Sequence, residues 1–246
     1  MHNYLINKYP YHRKTCSIRN IEELSFTFIR DEKYIGNLDA TKIKNVVILV
    51  PEHFKNKSLP KGFTYEYVSN VSYVFTMVHN KIHKDTVPLR NIIDSSCIIH
   101  PTALVGVEGI HYIRAPDDSM IQMKHIGNVV IKPDVSILAF ATIQRGVFGA
   151  TFLDTGVKID SHVNIGHNSY IGENTVIALG AIIGGSTTIG SNCMVGLGAI
   201  IRNGTFICDN VIVGQGANVV SNITNPGIYM GSPAKFFKPY NREWNF

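Results

Sequence analysis

His162 and His167 stand five residues apart in a run that also holds Asp160, Asn164 and Asn168. Imidazole is the side chain whose free pKa lets it take up a proton near neutral pH, as a general base must. Two imidazoles also suit a metal ion, with His125 or His111 as a third ligand and an open fourth position for chemistry. A histidine on a solvated corner does neither, and the residues alone leave these readings open. Gly185 follows His167 by 18 positions. Far upstream, Phe28 and Tyr34 flank Asp31, two aromatic faces that read as an ordinary core pair or as a platform for a base. Lys235, in Gly231-Ser-Pro-Ala-Lys235, is a point charge suited to a phosphate or simply a solvated lysine.

The element that must position the histidines is a repeat. Every sixth residue from Leu153 through Ile159, Ile165, Ile171, Ile177, Ile183, Ile189, Val195, Ile201, Ile207 and Val213 to Val219 is aliphatic. Four residues after most of them comes a small or β-branched residue, such as Ser169, Thr175, Ala181, Thr187, Cys193 or Ala199. A period of six fits neither a helix nor a long strand. It fits a short strand, a corner and another strand, three sides closing a triangular coil of 18 residues with one aliphatic per side pointing inward. This predicts a left-handed parallel β-helix. Gly185 then stacks one turn above His167, and Asp160, His162 and Asn164 lie half a turn before it. Ile99–Gly106 reads as the first coil and residues 107–124 as an excursion. The earlier register of Ile131, Ile137 and Ile143 is offset by two residues, which predicts a tightened corner over Gln144–Gly149. Such a coil exposes flat faces, so a homotrimer is expected.

Only Gly36 and Gly62 of 21 glycines precede residue 99. Residues 1–87 therefore read as a small α/β domain, with strands at Val46–Val50 and Thr64–Val68 and a helix over Val71–Lys84. The coil follows over 88–235, and 236–246 form a tail whose Phe236, Phe237 and Trp244 are expected to seal the coil's end. The fold class is thus mainly β, a β-helix preceded by an α/β domain. With 45% apolar and 17% charged residues, the 246-residue chain is not of disordered type. Residues 174–201 carry no charge, but the asparagines, serines and threonines that interrupt them argue against a spanning helix. The N-terminus has no signal-peptide run. Four cysteines in no paired pattern suggest a reducing cytoplasm. A net charge of +5 without a basic block suits a small polyanion, a nucleotide or coenzyme A, and argues against nucleic acid.

The residues resemble a known family. Ile126-Gly-Asn-Val-Val-Ile131, Ala141-Thr-Ile-Gln-Arg-Gly146, Gly156-Val-Lys-Ile-Asp160, Ile165-Gly-His-Asn168, Gly185-Ser186-Thr187, Cys193-Met194 and Pro226-Gly-Ile-Tyr229 resemble UDP-3-O-acylglucosamine N-acyltransferases of lipid A synthesis. More faintly, Thr27-Phe28-Ile-Arg-Asp31-Glu-Lys-Tyr34 resembles the segment whose two aromatics sandwich uracil. The resemblance implies His167 as general base and the Gly185 N–H as oxyanion donor. Asp160, His162 and Asn164, half a turn before that base, read by position as groups that orient it or hold the sugar amine, or equally as solvated corner residues. It implies Phe28, Asp31 and Tyr34 as the nucleotide site. Asp31 replaces a usual asparagine, and a carboxylate that only accepts keeps GDP-sugars open beside UDP- and dTDP-sugars.

Two departures redirect the substrate. The family's second histidine falls at Gly204, and its long helical tail for acyl carrier protein is missing. Gly231-Ser-Pro-Ala-Lys235 instead resembles the terminal motif of acetyl-CoA-using hexapeptide transferases, with Lys235 toward coenzyme A. The expectation is an N-acyltransferase, foremost an N-acetyltransferase with acetyl-CoA or another acyl-CoA as donor, acting on a nucleotide-linked amino sugar for a surface glycan such as lipopolysaccharide or O-antigen. The alternatives are a lipid A N-acyltransferase using acyl carrier protein, a γ-type carbonic anhydrase on the His162/His167 pair, and a non-catalytic trimeric scaffold. The sequence around both histidines follows the acyltransferases, so no metal is expected.

Overall fold

The structure, a computed structural model, describes residues 1–9, 14–16, 22–38 and 45–239; Trp244 lies outside the described residues. It divides into two compact units, Met1–Thr86 with Ile110–Lys124, and Val87–Gly109 with His125 onward.

The first unit carries helix α1 (His2–Lys8), strands β1 (Lys14–Thr15), β2 (Ser25–Phe28), β3 (Val47–Pro51) and β4 (Thr64–Val68), and helix α2 (Val71–Ile82). The strands form one parallel sheet in the order β1-β2-β3-β4. Covered on both faces, β3 is an unbroken apolar run, and Val47 to Val50 are all buried. Helix α2 starts where Asn70 Oδ1 accepts the Tyr73 backbone N–H at 3.0 Å. It buries Val71, Val74, Phe75 and Val78 at helical spacing. It ends at Ile82, two residues short of the expected Lys84, where His79 and His83 turn inward onto the Thr15 hydroxyl at 2.6 and 3.0 Å. The excursion is a hairpin, Tyr112–Arg114 with Met120–Gln122, that belongs to this unit. Asn80 Nδ2 donates to the Gln122 carbonyl at 2.7 Å, and Lys124 N donates to Asn80 Oδ1 at 3.0 Å.

The second unit is the left-handed parallel β-helix expected from the six-residue period. Strands of mostly two residues stack into three parallel sheets. In the regular part each strand pairs with the one 18 residues on, as in Tyr170↔Thr188, Val176↔Met194 and Ile182↔Ile200. All twelve aliphatics from Leu153 to Val219 are at most 2% exposed, and each contributes about 1.5–3 kcal/mol by leaving water. The small residues between them are buried as well, and three of their hydroxyls bond the backbone of the next turn: Ser169 donates to Gly184 O at 3.2 Å, Thr175 to Gly190 O at 2.7 Å and Thr187 to Arg202 O at 3.3 Å.

Three expectations need correction. The first turn begins earlier than Ile99, at Ile92–Ile93, which pair with Val130–Ile131. The corner after Ile143 is widened, not tightened: Val130 pairs with Phe152, 22 residues on, where later turns repeat at 18. The four extra residues lie between strands Thr142–Gln144 and Ala150–Leu153, with Val147 buried. A residue count modulo six cannot tell a deletion of two from an insertion of four. Finally, Phe236 and Phe237 are 54% and 63% exposed. Their strand, Lys235–Lys238, pairs antiparallel with Gly227–Met230 and forms the edge of the eight-stranded sheet instead of sealing the coil.

Candidate active site

His167 sits at the corner after strand Asn164–Ile165, where Asn168 takes a left-handed backbone, φ 57°. The turn above fixes it, since Ser186 N donates to the His167 carbonyl at 2.7 Å. The turn below does too, since the His167 N–H donates to Gln144 Oε1 at 3.2 Å. The widened corner reaches over the same place, and Val147 N donates to Asn168 Oδ1 at 2.8 Å. That bond sets the Asn168 amide with its oxygen inward, 3.2 Å from His167 Nδ1. An oxygen facing Nδ1 requires Nδ1 to carry the hydrogen, so the neutral ring keeps its lone pair on Nε2. Burial lowers the His167 pKa below the ordinary histidine value, and the Asn168 hydrogen bond opposes this in part. The ring is therefore neutral, and ready to accept a proton, at neutral pH.

Gly185 lies against Nε2. A Cβ added there would stand 2.7 Å from Nε2 and within 3.0 Å of both neighbouring ring carbons. Only glycine lets the imidazole lie over this backbone, and the stacking expected from the 18-residue interval is what the structure contains.

The other expected site residues fall elsewhere. Asp160, His162 and Asn164 come from the preceding corner and strand. Asp160 accepts from Ser161 N at 2.6 Å and from Leu179 N at 3.1 Å. It borders a cavity of about 380 Å³ with Leu138, Lys158, Val176 and Met194. His162 stacks on Phe140, centroids 5.1 Å apart. Asn164 lies on its strand between the Thr142 and Ile182 rungs. Lys235 opens the exposed edge strand. Among the described residues no three His, Cys, Asp or Glu side chains come together as metal ligands.

In the first unit Phe28 packs on Phe75 of α2, centroids 4.6 Å apart, and Tyr34 packs on the cluster of Ile29, Ile48 and Val50. Asp31 caps its own turn: one oxygen accepts the Lys33 N–H at 3.1 Å and the other meets the Lys33 ammonium at 3.1 Å. These bonds hold its carboxyl below the usual range. Between Phe28 and Asp31, Arg30 stands over the Phe28 ring at 5.8 Å and donates to the Ser72 hydroxyl at 3.3 Å. It borders a cavity of about 320 Å³ with His53, Ser69, Asn70 and Ser72, at the carboxyl ends of β3 and β4. Open parallel sheets take ligands at that edge.

Sequence reasoning left Asn168, Gln144 and Arg30 without a role of their own here, and offered His125 only as a third metal ligand. Asn168 was legible as a corner residue, but its function depends on Val147, which an irregular corner delivers. Gln144 was legible only as the start of the irregular corner, with nothing to show that its side chain accepts the His167 N–H.

Fold and corner together define a hexapeptide-type left-handed β-helix bearing one tautomerically fixed histidine. No family model matches the chain. It is similar to a UDP-3-O-acylglucosamine N-acyltransferase of Coxiella burnetii (strain Dugway 5J108-111), 42% identical over 147 residues, 60% of this chain and 42% of the relative. The enzyme of that name from Methylococcus capsulatus (strain ATCC 33009 / NCIMB 11132 / Bath) is 32% identical over 148 residues, with the same two shares. The chain thus matches less than half the length of these curated relatives. Among solved structures, an N-acyltransferase from Bacillus cereus in complex with dTDP-4-amino-4,6-dideoxyglucose and coenzyme A aligns with TM-score 0.48 and 15% identity, over 62% of this chain and 85% of that one. A likeness that slight carries no argument about this chain's chemistry.

Proposed function

We propose that the chain is an N-acyltransferase that moves an acyl group, acetyl foremost, from a coenzyme A thioester to the amine of a nucleotide-linked amino sugar in surface glycan synthesis. The observation that carries this reading is the fixed Nε2 lone pair of His167 lying against the Gly185 backbone. The neutral amine attacks the thioester carbon, a C–N bond forms, and the carbonyl oxygen becomes an oxyanion that meets the Gly185 N–H. His167 Nε2 takes the amine proton as the charge on nitrogen builds. The intermediate collapses with C–S cleavage, and the thiolate departs, taking a proton from the imidazolium or from water. A thiolate needs no strong acid, which suits a site with glycine at position 204.

Arg30 and the Ser69–Ser72 segment border a cavity suited to the nucleotide's phosphates, with Phe28 under the guanidinium. Asp160 and His162 stand on the preceding corner and Asn164 on the strand between the two, so their part in the reaction is to touch substrate. Leu179, Ile182, Leu197 and Ile200 are each close to half exposed on adjacent turns. Such an apolar column supports burial against a second copy in a closed trimer. No helix among the described residues is long and apolar enough to cross a membrane, and a reaction of coenzyme A with a nucleotide sugar suits the cytoplasm.

The test is thiol release from acetyl-CoA with UDP-, dTDP- and GDP-linked amino sugars, after thermal-shift titration with each diphosphate and with coenzyme A. Release with none of these acceptors overturns the reading. The 42% identity to lipid A enzymes favours one alternative. Turnover with acyl carrier protein as donor and a UDP-3-O-acylglucosamine as acceptor, but not with acetyl-CoA, would replace our proposal with it.

A further inference from the structure

The chain leaves the coil at Gly109 and re-enters it at His125. At this neck Glu108 Oε1 accepts the His125 backbone N–H at 2.9 Å and lies 3.5 Å from Nδ1 of the same residue. The His125 ring, 1% exposed, is turned toward His167. The ring centroids are 5.4 Å apart and the planes cross at 69°, the edge-to-face arrangement that aromatic rings favour. The neck reaches the same histidine by a second route. The Gly109 backbone packs on the Gln144 carboxamide beside His125 Nε2, and Gln144 Oε1 accepts the His167 N–H.

We infer that His125 is a positioning residue for His167: it fixes the plane of that ring and closes one side of it to water. The neck of the excursion, an irregular insertion, thereby governs a side chain that the regular repeat carries. The inference rests on the reading of His167 as the base for its importance, but not for its physics. Burial holds the His167 pKa down, and His125 is a buried ring packed directly on it. The neck sets Glu108 beside His125, its Oε1 3.5 Å from Nδ1. Gln144, Asn168, Gly185 and Ser186, which pack around His167, carry no charge, and Arg145 turns its Nε to the Gly106 carbonyl at 2.6 Å. Opening the His125 volume therefore acts on His167 through water.

The test is a pH titration of the His167 ring by NMR on the full-length protein with labelled histidine, without substrate. In His125→Ala the His167 midpoint should rise toward that of a solvated histidine, by about half a pH unit or more, and kcat should fall with KM little changed. His125→Phe refills the volume without a titrating group and should restore the low midpoint. If His125→Ala is unfolded by circular dichroism, His125→Asn admits water with a smaller loss of volume and carries the same expectation. An unchanged midpoint in a folded Ala or Asn variant, or a midpoint in His125→Phe as high as in His125→Ala, overturns the inference. Failure of the base assignment looks different: His167→Ala would stay active while the NMR midpoints still moved.

Discussion

Two corners of one turn of the coil, Asp160–Val163 and Gly166–Ser169, both carry a histidine, five residues apart. They share the same architecture: each follows an inward isoleucine, and each has a non-glycine residue in the left-handed region, His162 at φ 59° and Asn168 at 57°. What meets each corner differs. His162 is itself the left-handed residue, and its exposed ring stacks on Phe140 of the turn before. His167 precedes the left-handed residue and is enclosed by Gln144, His125, Asn168 and the Gly185 backbone. A one-position shift relative to the bend, together with a four-residue insertion in the previous turn, separates a solvated ring from an enclosed one.

The largest expected effect breaks this contrast outright. His167→Ala should lose about 10²–10⁴-fold in kcat/KM, the usual worth of a general base, whereas His162→Ala should stay within a few-fold of wild type by the same assay. Comparable losses would make the His162 corner part of the machinery. Next, Gly185→Ala places a methyl group 2.7 Å from Nε2. The displaced ring should cost about 10²-fold in kcat, since a misplacement on the order of 1 Å does that, while thermal stability changes far less than activity.

Asn168→Asp sharpens the comparison with a smaller effect. It keeps an acceptor for Val147 N–H and for Nδ1 but adds a negative charge beside the ring, so the His167 pKa should rise by about one unit. The acid limb of kcat/KM against pH, set in the wild type by a lowered pKa, should move to higher pH; a limb that stays put would mean another group sets it. The sign also fixes a stability effect. Because the folded pKa lies below the unfolded one, His167 contributes stability that is complete above the unfolded value and is lost as pH falls through the folded one. Melting temperatures of wild type and His167→Gln should therefore converge with acidification, and parallel curves would contradict the linkage. The smallest effect is expected at Asp31→Asn. The amide oxygen still caps the turn, so Tm should hold, and any change in KM among GDP-, UDP- and dTDP-sugars reports base recognition alone. Identical KM values would remove Asp31 from the binding site.

The coil was legible in the sequence because its signal is redundant. Twelve aliphatics at one interval must all face the same interior, and a single slip would expose every one of them. His167 was legible as a candidate, and Gly185 as its neighbour, because an 18-residue turn converts sequence distance into stacking. The α/β unit was read less completely. β4 and the start of α2 were where the spacing put them, but the hairpin of residues 112–122 belongs to this unit across a long sequence gap, and local periodicity has no access to that. Phe28 and Tyr34 were distinguishable as aromatics only; the sequence does not say that one rests on Phe75 and the other on the Ile48 cluster.

Taken alone, then, the sequence determined the period, the inward ladder, the corner on which the histidine sits and the glycine above it, because each follows from intervals along one chain. Only the tertiary structure decided the chemistry of that corner. Which nitrogen of His167 keeps a lone pair depends on Val147 bonding Asn168 across the widened corner, and the ring packed edge-on against it is His125, returning from the excursion. Both are contacts between segments outside the repeat and a residue within it. A periodic pattern specifies where its own members lie, while a tautomer and a pKa are set by whatever else arrives within a few ångströms.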